Sequence, residues 1–243
     1  MKKALLLVVG LLASLPMMAQ RDFILSHIDR RGFLNISGGL AMPIGSPYKS
    51  DPNAPSDLMA LSGSSFQVSL GYRLNHRWGA VLSFSNCLND GSTRQMIEKV
   101  ENGKLGSDWK ASAGRWNCSH LLAGPYVSFI FDRLTIDGRL TGGMSWVERP
   151  STELKGLYYG NTMSVKTTAV NSKSFTAGLG ASVRYMIGRN IALAVHADYL
   201  ATRASFDSVE TTVKIGTDTG TDFLREVKPI GILSLNGGLS LLF

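Results

Sequence analysis

Few residues in this chain are of the kinds that do chemistry. It has two cysteines and four histidines among 243 residues. No second Cys or His pair stands at metal-ligand spacing, so neither a metal nor another cofactor is expected. Charged residues make up 18%, and the net charge of +7 falls to +5 once Lys2 and Lys3 are set aside. That surplus is scattered: Arg73, Arg77, Arg115, Arg184 and Arg189 lie in or beside apolar segments. A basic stripe interleaved with aromatics is missing, which argues against nucleic acid as a partner. Beyond the first twenty residues no apolar run approaches the ~20 residues that cross a bilayer as a helix. This absence does not bear on membrane strands, which alternate and escape hydropathy windows.

What is present begins with "MKKALLLVVGLLASLPMMAQ". Lys2 and Lys3 form a positive start, Ala4 to Leu12 an apolar stretch, and Pro16 precedes the small residue Ala19. This pattern predicts a secretory signal cut after Ala19. The expected organisation is residues 1–19 as signal peptide, 20–31 as a periplasmic lead-in and 32–243 as one domain. With 44% hydrophobic residues, the mature chain is too apolar to stay disordered.

Its dominant hydrophobic period is two, which predicts strands rather than helices. In "SSFQVSLGYRL", Phe66, Val68, Leu70 and Tyr72 oppose Gln67, Ser69, Gly71 and Arg73. The same alternation runs through "GFLNISGGLAM", "WGAVLSFS", "LTIDGRLTGGMSW", "SFTAGLGASVRY", "NIALAVHADY" and "GILSLNGGLSLLF". An eighth segment, Asn117 to Phe131, is apolar on both faces; its expected outward set is Leu121, Ala123, Val127 and Phe129. Short connections ("NHR", "DR", "MIGR") alternate with long, turn-rich ones such as "NDGSTRQMIEKVENGKLGSDWK". An antiparallel meander of these strands carries tight turns at one end and long loops at the other.

Alternation alone also fits a soluble sandwich or a lipocalin-type barrel. Three features favour the inverted arrangement, with the apolar face outward. The strands have the ~9–11 residues of a tilted transmembrane strand. The polar face is small, with Gly39, Gly71, Gly79, Gly143, Gly178, Gly180 and Gly238, as a narrow lumen demands. Short turns at one end and long loops at the other are the asymmetry of outer-membrane barrels. Arg73, Asp137, Arg139, Arg184 and Asp198 share the phase of the small residues, where a membrane strand must keep its charges.

"NISGGLAMPIG", "LGYRLNHRWGAVLSFS", "LLAGPYVSF" and the closing "GGLSLLF" together resemble a small outer-membrane β-barrel of the OmpA/OmpX-like superfamily, over about Gly32 to Phe243. The fold expected is all-β: an eight-stranded antiparallel up-and-down transmembrane β-barrel with short periplasmic turns and long extracellular loops. It would sit in the outer membrane of a Gram-negative bacterium as a monomer, against outer-membrane lipid and lipopolysaccharide. The resemblance also implies that Leu239, Leu241 and Phe243 form the signal read by the barrel-assembly machinery. A ten-stranded version arises if "MSVKTTAV" or "VETTVKIG" spans; Lys166, Lys214 and Glu210 favour projecting hairpins instead.

Arg73, Asp137, Arg139, Arg184, His196 and Asp198 are the candidate residues of a structural polar network in the lumen. Cys87 and Cys118 flank one long loop with the same facing, and an oxidising compartment favours a disulfide between them. His196, Asp198 and Ser182 have the residue types of a catalytic triad, and His120 also faces inward; a structural ionic core is the stronger reading, and no catalytic residue is assigned. Trp78, Tyr72, Tyr185, Tyr199 and Trp146 fit interfacial girdles. Trp109, Tyr158 and Tyr159 fall in loops, as contact anchors or as props of projecting hairpins. The expected function is structural or surface-interaction, without catalysis, the loops meeting an extracellular or envelope partner. The alternatives are a narrow channel or carrier for small or hydrophobic molecules, an envelope lipid-modifying enzyme, and an accessory barrel of a secretion apparatus.

Overall fold

Alternating side chains fold here into a sheet that closes on itself. The computed structural model describes residues 30–44, 60–102 and 106–243. The expected signal peptide, most of the lead-in and the first long connection lie outside these residues. The strands are β1 (Gly32–Pro43), β2 (Gly63–Arg73), β3 (Trp78–Asp90), β4 (Ser107–Ala113), β5 (Arg115–Phe131) and β6 (Leu134–Arg149). They continue with β7 (Thr152–Tyr158), β8 (Asn161–Thr167), β9 (Val170–Met186), β10 (Ile191–Ile215) and β11 (Asp218–Leu242), and one helix, α1 (Thr93–Asn102), precedes β4.

Eight strands form a ring in the order β11-β1-β2-β3-β5-β6-β9-β10, with β10 pairing back onto β11. Every described pairing is antiparallel. The seam is made by the chain's last segment: Leu34 lies opposite Leu241 and Ile36 opposite Leu239. Phe243 and Gly32 exchange backbone hydrogen bonds of 2.7 and 3.0 Å. A ring leaves no strand edge in contact with lipid, where an unpaired peptide group would find no water.

Tight turns join β2 to β3, β5 to β6 and β9 to β10, all at one end. In the first, the Asn75 carboxamide oxygen accepts from the Arg77 and Trp78 amides at 3.1 and 2.8 Å, which locks the loop. The opposite end carries structure that the period-two pattern did not reveal. β10 and β11 run for 25 residues each, far beyond their neighbours in the ring. The upper part of β10 pairs with β8, β8 with β7 and β7 with β4. The result is a five-stranded sheet, β11-β10-β8-β7-β4, projecting from the end of the ring opposite the tight turns. The Lys166 and Lys214 segments thus belong to projecting hairpins, and the barrel has eight strands. A bulge between Phe206 and Val209, with Ser208 at φ 59°, interrupts the β10 ladder where the projection begins, as bulges do at barrel rims.

The α1 helix has a simple local cause. Met96 and Val100, four residues apart, share one buried stripe, while Arg94 and Glu98 pair at 2.9 Å on the exposed side. The sequence around it is polar, so only the tertiary cover supplied by β4 shows why the stripe is apolar.

Candidate functional site: a filled lumen and a projecting sheet

The facing of each ring strand follows the expected phase. Leu70 is 47% exposed, while its neighbour Ser69 is 1%. Phe66, Leu82, Leu140, Leu179, Val195 and Leu239 all stand outward. The ambiguous segment follows suit: Leu121 and Phe129 point out, whereas Leu122, Tyr126 and Ser128 are buried inside. Tyr72, Trp78, Trp146 and Tyr199 are exposed on the outer surface, where aromatic rings suit the lipid headgroup level. An outward apolar belt with buried charges inside has no stable place in water. The chain is a small eight-stranded β-barrel with a lipid-facing outer surface.

Three layers fill the lumen of this barrel. At the periplasmic end, Phe33 and Tyr126 meet edge to face at 5.5 Å, above Leu242 and beside Val81 and Met186. Glycines make this possible: a Cβ on Gly71 would lie 2.2 Å from the Phe33 ring, and one on Gly79 2.4 Å from that of Tyr126. Gly71 and Gly79 are therefore the complement of Phe33 and Tyr126 on neighbouring strands, whereas at Gly39, Gly143 and Gly238 a Cβ would meet a backbone carbonyl oxygen instead.

The middle layer holds the six predicted polar residues, all buried. Arg184 donates to both oxygens of Asp137 at 3.0 Å, and Ser182 adds a third hydrogen bond at 3.1 Å. Ser128 donates to the same carboxylate. Arg139 grips Asp198 in the same forked way, at 2.8 and 2.5 Å. Its guanidinium also lies 3.5 Å from Nδ1 of His196. Arg73 donates to the Arg30 carbonyl at 2.8 Å, and Arg184 stacks 4.1 Å over the Phe33 ring. Forked Arg–carboxylate pairs suit a lumen because both charges must be satisfied where little water enters.

The upper layer is apolar. Phe206, fully buried, meets Trp116 at 6.2 Å, with Val147, Ile230 and Ile232 in the same cluster. Cys87 and Cys118 belong to it. They face each other across β3 and β5, but both strands run on past them, and both are free buried thiols in this structure. As free thiols they behave as two small apolar side chains packed against the plug, as free cysteine commonly does. Leu154, Val165 and Trp109 carry the same cluster into the projecting sheet, and α1 covers it with Met96 and Val100.

Histidine and serine come together at one place. His120 Nδ1 and Ser145 Oγ lie 2.5 Å apart, and Ser145 also meets Thr176. His120 and Ser145 are each 0% exposed, so neither a lipid nor a peptide reaches them. His196 has Ser182 as its cross-strand neighbour, yet that hydroxyl is engaged by Asp137. The residues of the triad pattern are present without its chain of contacts. Among the described residues no His, Cys, Asp and Glu cluster fits a metal ion.

The loop aromatics divide. Trp109 is buried under Gly156, where a Cβ would lie 2.4 Å from its ring. It is a prop, not an exposed anchor. Tyr159 is 83% exposed at the tip between β7 and β8 and packs on Tyr158 at 4.7 Å. Tyr159 and Gly160 both have positive φ, 46° and 83°, the backbone of a two-residue hairpin turn.

No family model matches the sequence, and no curated protein does. Solved structures do. Neisserial surface protein A is 13% identical over 87% of this chain and 97% of its own, with a TM-score of 0.46. The attachment invasion locus protein of Yersinia pestis is 16% identical over 87% and 99%, with a TM-score of 0.41. The outer-membrane protease OmpT of Escherichia coli is 10% identical over 89% and 97%, with a TM-score of 0.46.

Proposed function

We propose that this barrel is a surface-interaction protein whose lumen is structural and whose extracellular sheet makes the contacts. The filling of the lumen carries this reading. Bidentate ion pairs occupy the middle, a Trp116–Phe206 plug closes the extracellular side, and the cavity at the periplasmic mouth measures about 20 Å³. That is room for about one water molecule. A channel or carrier needs a continuous path, and opening one here would require separating paired charges at a cost of several kcal/mol. A catalytic role for His120 and Ser145 lacks an entrance. Meanwhile the chain extends its two longest strands, β10 and β11, beyond the ring into a sheet with an apolar backing.

The test is twofold. The purified, refolded barrel in planar bilayers is expected to give no steady single-channel conductance; regular conductance steps would remove the structural reading of the lumen. Cells or vesicles displaying the protein are expected to bind to their surface target through the projecting sheet. Replacing 152–167 (β7, β8 and their turn) by a short Gly-Ser linker should abolish that binding while the barrel still migrates differently on gels before and after heating.

A further inference from the structure

The projecting sheet has one face fixed by packing and one that is not. Trp109, Leu154 and Val165 point into the apolar cluster. Their neighbours along each strand point the other way, into solvent. On that outer face the register draws a straight row across four strands. Lys110 of β4 lies opposite Lys155 of β7, Lys155 opposite Ser164 of β8, and Ser164 opposite Lys214 of β10. All three lysines are exposed and line one groove of about 440 Å³ together with Ser164 and Leu157. Lys166 is one step along the strand on the same face, opposite Glu153.

Like charges directly opposite each other destabilise a sheet, and Lys110 against Lys155 is such a pair. Glu153 offsets part of it by holding Lys155 at 2.7 Å, and Asp108 stands at the groove's edge. Four lysines against Glu153, Asp108 and, further along β10, Glu210 still leave this face positive. The row spans three inter-strand steps, about 14 Å at ~4.8 Å each, which is more than one anionic group can bridge. An anion that engages all three lysines must carry several charges along its length. Hydroxyls of Ser164 and Thr162 stand between them, and the exposed Tyr159 pair caps the hairpin. Hydroxyls and aromatic faces next to fixed cations suit sugar rings bearing anionic substituents better than a bare phosphate.

We propose that the Lys110–Lys155–Lys214 row binds a polyanionic saccharide, resting on the surface-interaction reading above. Lys214 is eight residues beyond Phe206, where the projection begins, about 26 Å along β10 at ~3.3 Å per residue, so the row stands clear of the lipid-facing ring. Its source is either a free acidic polysaccharide or the anionic sugars of lipopolysaccharide, and one experiment separates them. Full-length folded protein in detergent is titrated with dextran sulfate and with neutral dextran; in parallel, protein in phospholipid vesicles is titrated with purified lipopolysaccharide oligosaccharide.

The expected result is binding of a charged saccharide but not of neutral dextran, weakening as salt rises. Lys110→Gln, Lys155→Gln and Lys214→Gln combined should weaken it at least tenfold, and restoring the charges as arginine should recover it. Arg77→Gln with Arg133→Gln, at the periplasmic turns, should leave it unchanged. Lysine-dependent binding of dextran sulfate alone assigns a free polyanion; lysine-dependent binding of the oligosaccharide assigns the cell's own envelope. Binding that survives the triple variant, with heat-dependent migration intact, overturns the proposal. If target binding still requires 152–167 in that case, the surface-interaction reading stands and only the ligand assignment falls.

Discussion

At the residue scale, the barrel interior is a set of size exchanges between neighbouring strands. Gly180 is the sharpest case: a Cβ there would lie 2.0 Å from Asp198 and 2.6 Å from Arg139. Gly180→Ala should push the ion pair apart and destabilise the barrel by about 1–3 kcal/mol, the usual range for overpacking, seen as a lower urea midpoint in detergent. Asp198→Ala has a different cause, since it strands the Arg139 guanidinium in a dry lumen. The expected loss is roughly 3–5 kcal/mol. The double variant Asp198→Ala with Arg139→Met should recover much of that stability, because it removes the uncompensated charge. A double variant no more stable than Asp198→Ala would show that the pair is not what the substitution breaks.

At the element scale, the same alternating pattern serves two solvents in different parts of the sheet. In the ring, β2 meets lipid through Leu70; in the projection, β11 meets water through Leu224, 54% exposed. Leu70→Arg should cost about 2–4 kcal/mol, as expected for a cation facing lipid at midplane, and should reduce the fraction that inserts. Leu224→Arg should leave insertion at the wild-type level. Equal effects of the two changes would contradict the boundary drawn at the β10 bulge. The helix α1 and strands β4, β7 and β8 are short elements whose apolar residues face the plug rather than a lipid. Their pattern is brief and mixed with lysines, so periodicity alone reads them as loop. The sequence leaves Trp109 open between anchor and prop for the same reason: only the tertiary contact with Gly156 tells a buried loop tryptophan from an exposed one.

At the scale of the whole molecule, closure explains both the stability and the expected inactivity of the lumen. Every ring strand is paired on both sides, and the interior joins the strands through Arg184–Asp137 and Arg139–Asp198 bridges. Unheated protein should therefore migrate differently from boiled protein in detergent gels. Identical migration would mean that the purified chain had not closed its ring. The plug and the projecting sheet share one apolar cluster, so loss of the sheet's backing should loosen the extracellular end first. Trp116→Ala with Phe206→Ala is expected to raise hydrogen exchange in β7 and β8 before the periplasmic turns, which are held by their own hydrogen bonds.

The eight-stranded ring, the facing of its side chains and the residues of the polar lumen were legible in the sequence. A membrane strand has only two faces, and each charge must take the one away from lipid. That rule left Arg73, Asp137, Arg139, Arg184 and Asp198 a single side, and the alternation of short and long connections fixed which end carries the structure. Which arginine pairs with which aspartate was not legible, because pairing depends on strand order and shear. Nor was the state of Cys87 and Cys118, whose spacing gives proximity but not bonding. The row of lysines was hidden for the same reason: Lys110, Lys155 and Lys214 are far apart in the chain, and only the register of four strands brings them into line.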